Sequence, residues 1–70
     1  MSGRELQVRG DVIRLGQLLK AAGLVDSGAE AKDLLAAGGV TVNGEPEARR
    51  GRQLRPGDVV ACGGETVRLV

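Results

Sequence analysis

The stretch Ser27–Gly44 reads SGAEAKDLLAAGGVTVNG. Its first half has the period of a helix and its second half the period of a strand. Ser27-Gly28-Ala29-Glu30 has the form of a capping box, in which the Ser27 hydroxyl accepts from the backbone N–H three residues on and Glu30 reaches back to the N–H of Ser27. Ala31, Leu34 and Leu35 follow as an apolar stripe, with Glu30, Lys32 and Asp33 off it. Gly38-Gly39 stops the helix. Val40-Thr41-Val42 is strand-like, and Asn43-Gly44 is a strong signal for a two-residue hairpin turn. A helix running directly into a hairpin is therefore expected.

The same reasoning extends outward. Upstream, Leu15, Leu18, Leu19 and Ala22 fall at i, i+3, i+4 and i+7, one face of a helix, while Gln17 and Lys20 point the other way. Gly23 ends this helix, which spans about two turns and so needs a surface to dock on. Before it, residues 4–9 (RELQVR) alternate Leu6 and Val8 against Glu5, Gln7 and Arg9, which predicts a short half-buried strand closed by a Gly10-Asp11 turn. Downstream, Pro56-Gly57 reads as a turn and Val59-Val60-Ala61 as a strand. Gly63-Gly64 reads as a tight connection. Thr66–Val70 is the last strand, with Val67 and Leu69 on one face.

Composition narrows the possible chemistry. At 70 residues one domain is expected over positions 1–70, near the lower limit for a hydrophobic core without staples. With one cysteine and no histidine, neither an internal disulfide nor a Cys/His zinc site can form. Cys62, in the apolar run VVACGG, reads as a small buried hydrophobe of a reducing compartment. Ser2 and Ser27 are the only serines, so no Ser/His/Asp or Cys/His nucleophile can be assembled. The carboxylates are scattered, without a metal-binding cluster or a glycosidase pair. A non-enzymatic chain without cofactor or metal is therefore expected. The polar start MSGRELQVRG lacks an apolar signal region, and no apolar run approaches the roughly 20 residues that a bilayer needs. These features lead us to expect a soluble, cytoplasmic protein with no membrane partner.

Charge is concentrated in one segment. The run Glu47–Asp58, EARRGRQLRPGD, holds Arg49, Arg50, Arg52 and Arg55, four of the chain's ten Lys and Arg residues. The formal net charge is only +1, so the rest of the chain is neutral to acidic. A loop with four guanidinium groups repels itself when free. A polyanion would relieve that repulsion and release its own counterions. Arginine suits this task because its planar fork matches phosphate oxygens two at a time. Glu45 and Glu47 could neutralise part of the charge, in which case the segment is an ordinary solvated loop. Lys20 and Lys32, on outward helix faces, could extend the patch. Phe, Trp and Tyr are all absent, so bases have no aromatic platform to stack on. Nucleic-acid binding would then have to rely on charge, backbone shape and arginine.

The segment IRLGQLLKAAGLVDSGAEAKDLLAAGGVTVNGE, continuing to RPGDVV, resembles the RNA-binding domain named after small-subunit ribosomal protein S-four (the alpha-L motif). It is most similar to the small single-domain bacterial members of YbcJ type. The likeness runs from about Ile13 to Val60, residues 13–60. It rests on the order of a helix, SGxEAK, GxVxVNG, a basic loop and PGDVV. The resemblance implies an α+β fold of two short helices packed on a small, mostly antiparallel β-sheet. It also implies structured RNA as partner, ribosomal or transfer RNA, with a possible association with the ribosome. The RNA would lie against the second helix, its approach and the loops beside the first hairpin. Carried over by position, Arg14 matches the basic residue opening the first helix and Ser27 the serine opening the second. Lys32 matches a frequently basic outer position, Asn43 the hairpin asparagine, and Arg49 to Arg55 the basic stretch. Three positions depart from the pattern. Gly16 stands where many members have Asp, Gly28 where many have an RNA-contacting Arg, and Gly39 where a basic residue is common. The small single-domain type shares the Ser-Gly pairing.

Each of these residues also has a plainer reading: Ser27 as a helix cap, Asn43 as a turn residue, Lys32 as a surface ion-pair partner. Two other functions are consistent with parts of the chain. VTVNGEP…LRPGDVV is also similar to the β-grasp sulfur carriers, but their C-terminal Gly-Gly is missing here, since Gly63-Gly64 is internal. A protein-interaction module could use the basic loop against an acidic partner. The reading taken forward is a monomeric, non-catalytic RNA-binding protein that contacts phosphates through the basic loop and the second helix.

Overall fold

The computed structural model describes residues 2–70; Met1, part of the expected 1–70 span, lies outside the described residues. The elements are β1 (Ser2–Leu6), β2 (Ile13–Arg14), α1 (Leu15–Ala21), α2 (Gly28–Ala36), β3 (Val40–Val42), β4 (Glu45–Pro46), β5 (Gln53–Leu54), β6 (Val59–Cys62) and β7 (Glu65–Leu69). Five strands form a sheet in the order β1-β7-β6-β3-β4, and β2 pairs with β5 in a separate antiparallel ribbon. Every pairing is antiparallel except β1 with β7, which runs parallel from Ser2↔Glu65 to Leu6↔Leu69. The fold is thus α+β with two short helices and a mostly antiparallel sheet.

Both tight turns of the sheet have a local cause. Asn43 and Gly44 adopt φ of 53° and 85°, and Gly63 and Gly64 adopt 57° and 85°. Two successive positive φ values define the type I′ turn, whose twist matches the strands it joins. Hence Val42 pairs with Glu45 across the first turn, and Cys62 with Glu65 across the second.

The helices begin and end where their caps dictate. The Ser27 hydroxyl accepts from the N–H of Glu30 at 3.2 Å. The Glu30 carboxylate reaches one residue further back than the capping-box pattern predicts and accepts from the N–H of Asp26 at 3.3 Å. Gly23 and Gly38 take φ of 73° and 77° just past the two helix ends, a conformation that costs glycine little.

The core joins one face of each helix to one face of the sheet. Leu15, Leu18, Leu19, Ala31, Val40, Leu54, Val60 and Leu69 have no exposed surface. Val8, Val25, Leu35, Val42 and Val67 complete the cluster, and Leu34 packs against it half-buried. The expected alternation of β7 is seen directly, with Val67 and Leu69 buried and Arg68 exposed.

Two differences from the sequence expectation have clear reasons. The first strand covers Ser2–Leu6 rather than residues 4–9. Its partner β7 ends at Leu69, so the ladder stops there. Val8 is still buried and its N–H donates to the carbonyl of Val70 at 2.9 Å. The β2–β5 ribbon was not expected. It is two residue pairs long, Ile13↔Leu54 and Arg14↔Gln53, and it ties the entry of α1 to the end of the basic loop.

Candidate functional site

The basic loop is fastened to the first helix through its backbone. The leading N–H groups of a helix have no acceptor within the helix itself. Here the N–H of Leu15 donates to the carbonyl of Arg52 and that of Gly16 to the carbonyl of Arg50, both at 2.9 Å. The N–H of Arg14 donates to the Gln17 side-chain oxygen at 3.2 Å. The loop therefore lies across the start of α1 in a fixed position.

Close approach at this point requires glycine. Gly16 is buried beneath Arg50: a Cβ placed there would lie 2.5 Å from Arg50 Cγ and 3.2 Å from its Cδ. A Cβ at Gly28 would lie 3.9 Å from Arg50 Nη1. The Arg50 side chain thus runs from the first turn of α1 to the first residue of α2. Gly39, the third departure from the family pattern, has a packing reason instead, since a Cβ there would lie 2.8 Å from Leu34 Cδ1.

Around that side chain is a groove of about 370 Å³ lined by Arg14, Gln17, Lys20, Ala31, Arg50 and Gly51, with Gly16 and Gly28 in its floor. Gly51 also borders a second depression, formed with Arg49, Arg52 and Gln53. The two share Gly51, so Arg14, Lys20 and Arg50 border one depression and Arg49 and Arg52 border the other.

The four loop arginines are not equivalent. Glu47 is 9% exposed, and its carboxylate accepts from Arg49 Nη2 at 3.2 Å and from Arg52 Nη1 at 3.0 Å. It also accepts from the N–H groups of Ala48 and Arg49. The Arg49 side chain foremost, then its N–H, then the Arg52 side chain hold the Glu47 carboxyl at a pKa of about 2, against an ordinary 4.5. The expected self-repulsion of the loop is therefore partly relieved from within, by Glu47 rather than Glu45. Arg50 and Arg55 form no ion pair among the described residues, nor do Arg14, Lys20 and Lys32.

The remaining candidates lie outside the groove lining. Ser27 is occupied as the cap of α2, immediately before Gly28. Lys32 is exposed one helical turn beyond Gly28. Asn43 is engaged with a neighbouring turn: its Nδ2 donates to Asp58 Oδ1 at 3.0 Å and its Oδ1 accepts from the N–H of Val59 at 2.9 Å. Arg55 donates its backbone N–H to Asp58 Oδ2 at 2.8 Å. That bond first, and the Asn43 amide second, hold the Asp58 carboxyl below its usual range. The groove residues that sequence reasoning passed over are Gln17 and Ala31; Glu47 was expected to neutralise part of the loop, but not to divide its arginines into paired and unpaired ones. The signal for Glu47 was available, since it stands two positions before Arg49 and five before Arg52.

Cys62 lies apart from this surface, half-buried, with its thiol pushed up by burial and then by Glu65. Among the described residues no group of three His, Cys, Asp or Glu side chains is arranged to hold a metal, and no helix is long and apolar enough to cross a membrane.

Comparison with known proteins agrees with this architecture. The family model described as "S4 domain" matches residues 6–70. A Bacillus subtilis (strain 168) protein named "Probable ribosome maturation protein RlbA" is 50% identical over 54 residues, which cover 77% of this chain and 76% of that protein.

Proposed function

Because the chain belongs to the S4 domain family, we propose that it is a non-catalytic RNA-binding protein acting in a ribosome-related role. It recognises structured RNA, ribosomal or transfer, by phosphate contact. The observation that carries this reading is the groove where the loop crosses α1 and meets α2, lined by Arg14, Lys20 and Arg50, none of which forms an ion pair among the described residues.

The physical case has three parts. The cations are presented on backbone that is already fixed by the Leu15 and Gly16 hydrogen bonds, so binding need not order the loop. A guanidinium group matches phosphate oxygens two at a time, and each contact releases condensed counterions. With no aromatic residue in the chain, bases have no ring to stack on, so discrimination falls chiefly on the shape of the RNA. Arg14, Lys20 and Arg50 form the centre of the surface, with Arg49 and Arg52 beside them. Lys32 and Ser27 adjoin it on α2, and Arg55 lies further along the basic loop. The name of the Bacillus subtilis relative supports a ribosomal partner.

The test is affinity for a structured RNA as a function of salt. Replacing Arg49, Arg50 and Arg52 together with Gln should weaken binding and shallow the log–log salt slope by about 0.7–0.9 per lost phosphate contact. An unchanged affinity and slope would end this reading.

A further inference from the structure

The geometry points to Arg50 as the principal phosphate-contacting residue of this surface, held in place by a seat made of Gly16 and Gly28. The inference rests on the RNA-binding reading and adds which residue bears the contact and what positions it.

Three independent observations lead here. The first is charge accounting. Arg49 and Arg52 share the Glu47 carboxylate, so two of the loop's four positive charges are offset by one negative charge. An anion reaching them competes with an existing partner. Arg50 has no such partner among the described residues, so its guanidinium can offer a phosphate a two-bond fork without giving up a carboxylate.

The second is position. The Arg50 stem lies on Gly16, and its Nη1 comes within 3.9 Å of where a Gly28 Cβ would stand. The guanidinium is therefore delivered by the loop to the first residue of α2, between the two helices. Arg14 and Lys20 line the same groove. A phosphate there meets cations from the loop and from the α1 region together.

The third is restraint. The Arg50 carbonyl accepts from the N–H of Gly16 at 2.9 Å. Backbone and stem of Arg50 are thus both fixed on the same glycine, and a seated long side chain loses less rotamer freedom on binding than a loose one. Any larger residue at position 16 forces the stem away. The contact with the backbone is softer, because a Cβ there would lie 3.5 Å from the Arg50 carbonyl oxygen. A methyl group at position 16 therefore displaces Arg50 from Cγ outward.

The experiment compares four purified variants with the wild type for binding of a structured ribosomal RNA fragment over a salt series. They are Arg50→Gln, Gly16→Ala, the double variant, and Arg68→Gln as a charge-matched control on the exposed side of β7. Thermal unfolding of each is recorded in parallel. Arg50→Gln and Gly16→Ala should each lower affinity by roughly tenfold or more, the scale of a lost charge-assisted hydrogen bond. The double variant should be no weaker than Arg50→Gln, because both changes remove the same contact. Gly16→Ala should remain folded at the binding temperature, with its own unfolding curve showing this, which separates displacement of a side chain from loss of the fold. If the wild type binds but Arg50→Gln loses no more than Arg68→Gln, Arg50 is not the principal contact. If Arg50→Gln loses affinity while a folded Gly16→Ala keeps it, the glycine seat is overturned. Failure of the wild type itself to bind structured RNA would instead overturn the functional reading beneath both.

Discussion

Asn43 Nδ2 donates to Asp58 Oδ1 at 3.0 Å, joining two turns that lie fifteen positions apart. The same asparagine accepts from the N–H of Val59, and the same aspartate accepts from the N–H of Arg55. A hairpin turn and a Pro-Gly turn are thus locked to each other, and they hold β3 and β6 in register at that end of the pair.

Asn43→Ala removes two hydrogen bonds and places alanine at a φ of 53°. A loss of about 2 kcal/mol is expected from the bonds and the left-handed backbone together. Urea unfolding measures it. RNA affinity at a temperature where the variant is folded should stay near that of wild type, because the Asn43 amide is already occupied.

Glu47→Gln should lower the unfolding midpoint at neutral pH, since the carboxylate anchors two arginines and two backbone N–H groups. Its folded pKa of about 2 lies below the ordinary 4.5. The stability it contributes is therefore complete above about 4.5 and lost as pH falls toward about 2. Across that window the wild type should lose stability more steeply than Glu47→Gln. Equal slopes in a pH series of thermal unfolding would contradict the role assigned to this carboxylate.

Leu18→Ala should cost about 2–5 kcal/mol, because the side chain has no exposed surface and its removal leaves a cavity. A domain of this size has little more than that to lose. Far-ultraviolet circular dichroism at 37 °C should show a largely unfolded variant.

Cys62 should react slowly with a thiol-specific disulfide reagent at neutral pH. Burial and the Glu65 charge both raise its pKa, and the thiolate is the reactive form. The rate should rise steadily with pH and increase sharply in denaturant. Fast labelling of the native protein at pH 7 would contradict this.

How far the sequence discloses this structure depends on the range of each interaction. Ser27, Gly38, Asn43-Gly44 and Gly63-Gly64 act within a few residues, and each fixes its cap or turn as expected. The β2–β5 ribbon joins Ile13 to Leu54 in two-residue strands, too short to show a period. The end of β1 was misplaced for a related reason: the alternation of Leu6 and Val8 continues past the point where β7 stops pairing. At the site, the concentration of arginine was visible in one dimension. Its division was not, because whether Arg49 or Arg50 is free depends on where the fold buries Glu47. The groove needed three dimensions for the same reason, since Gly16, Gly28 and Arg50 meet only once the loop crosses the helices.

The parallel pairing of β1 with β7 also constrains the order of events when the protein is made. Ser2 leaves the ribosome early, yet its partner is Glu65, and the carbonyl that receives the Val8 N–H belongs to Val70. The first strand must wait, unpaired, until Glu65–Leu69 has been translated. The nascent polypeptide can begin its capped helix and first hairpin during that interval, but Val67 and Leu69 arrive last to close the hydrophobic interior. Closure of this sheet therefore waits for the segment that carries β7, and a chain truncated before Glu65 would keep an open sheet edge exposed to aggregation.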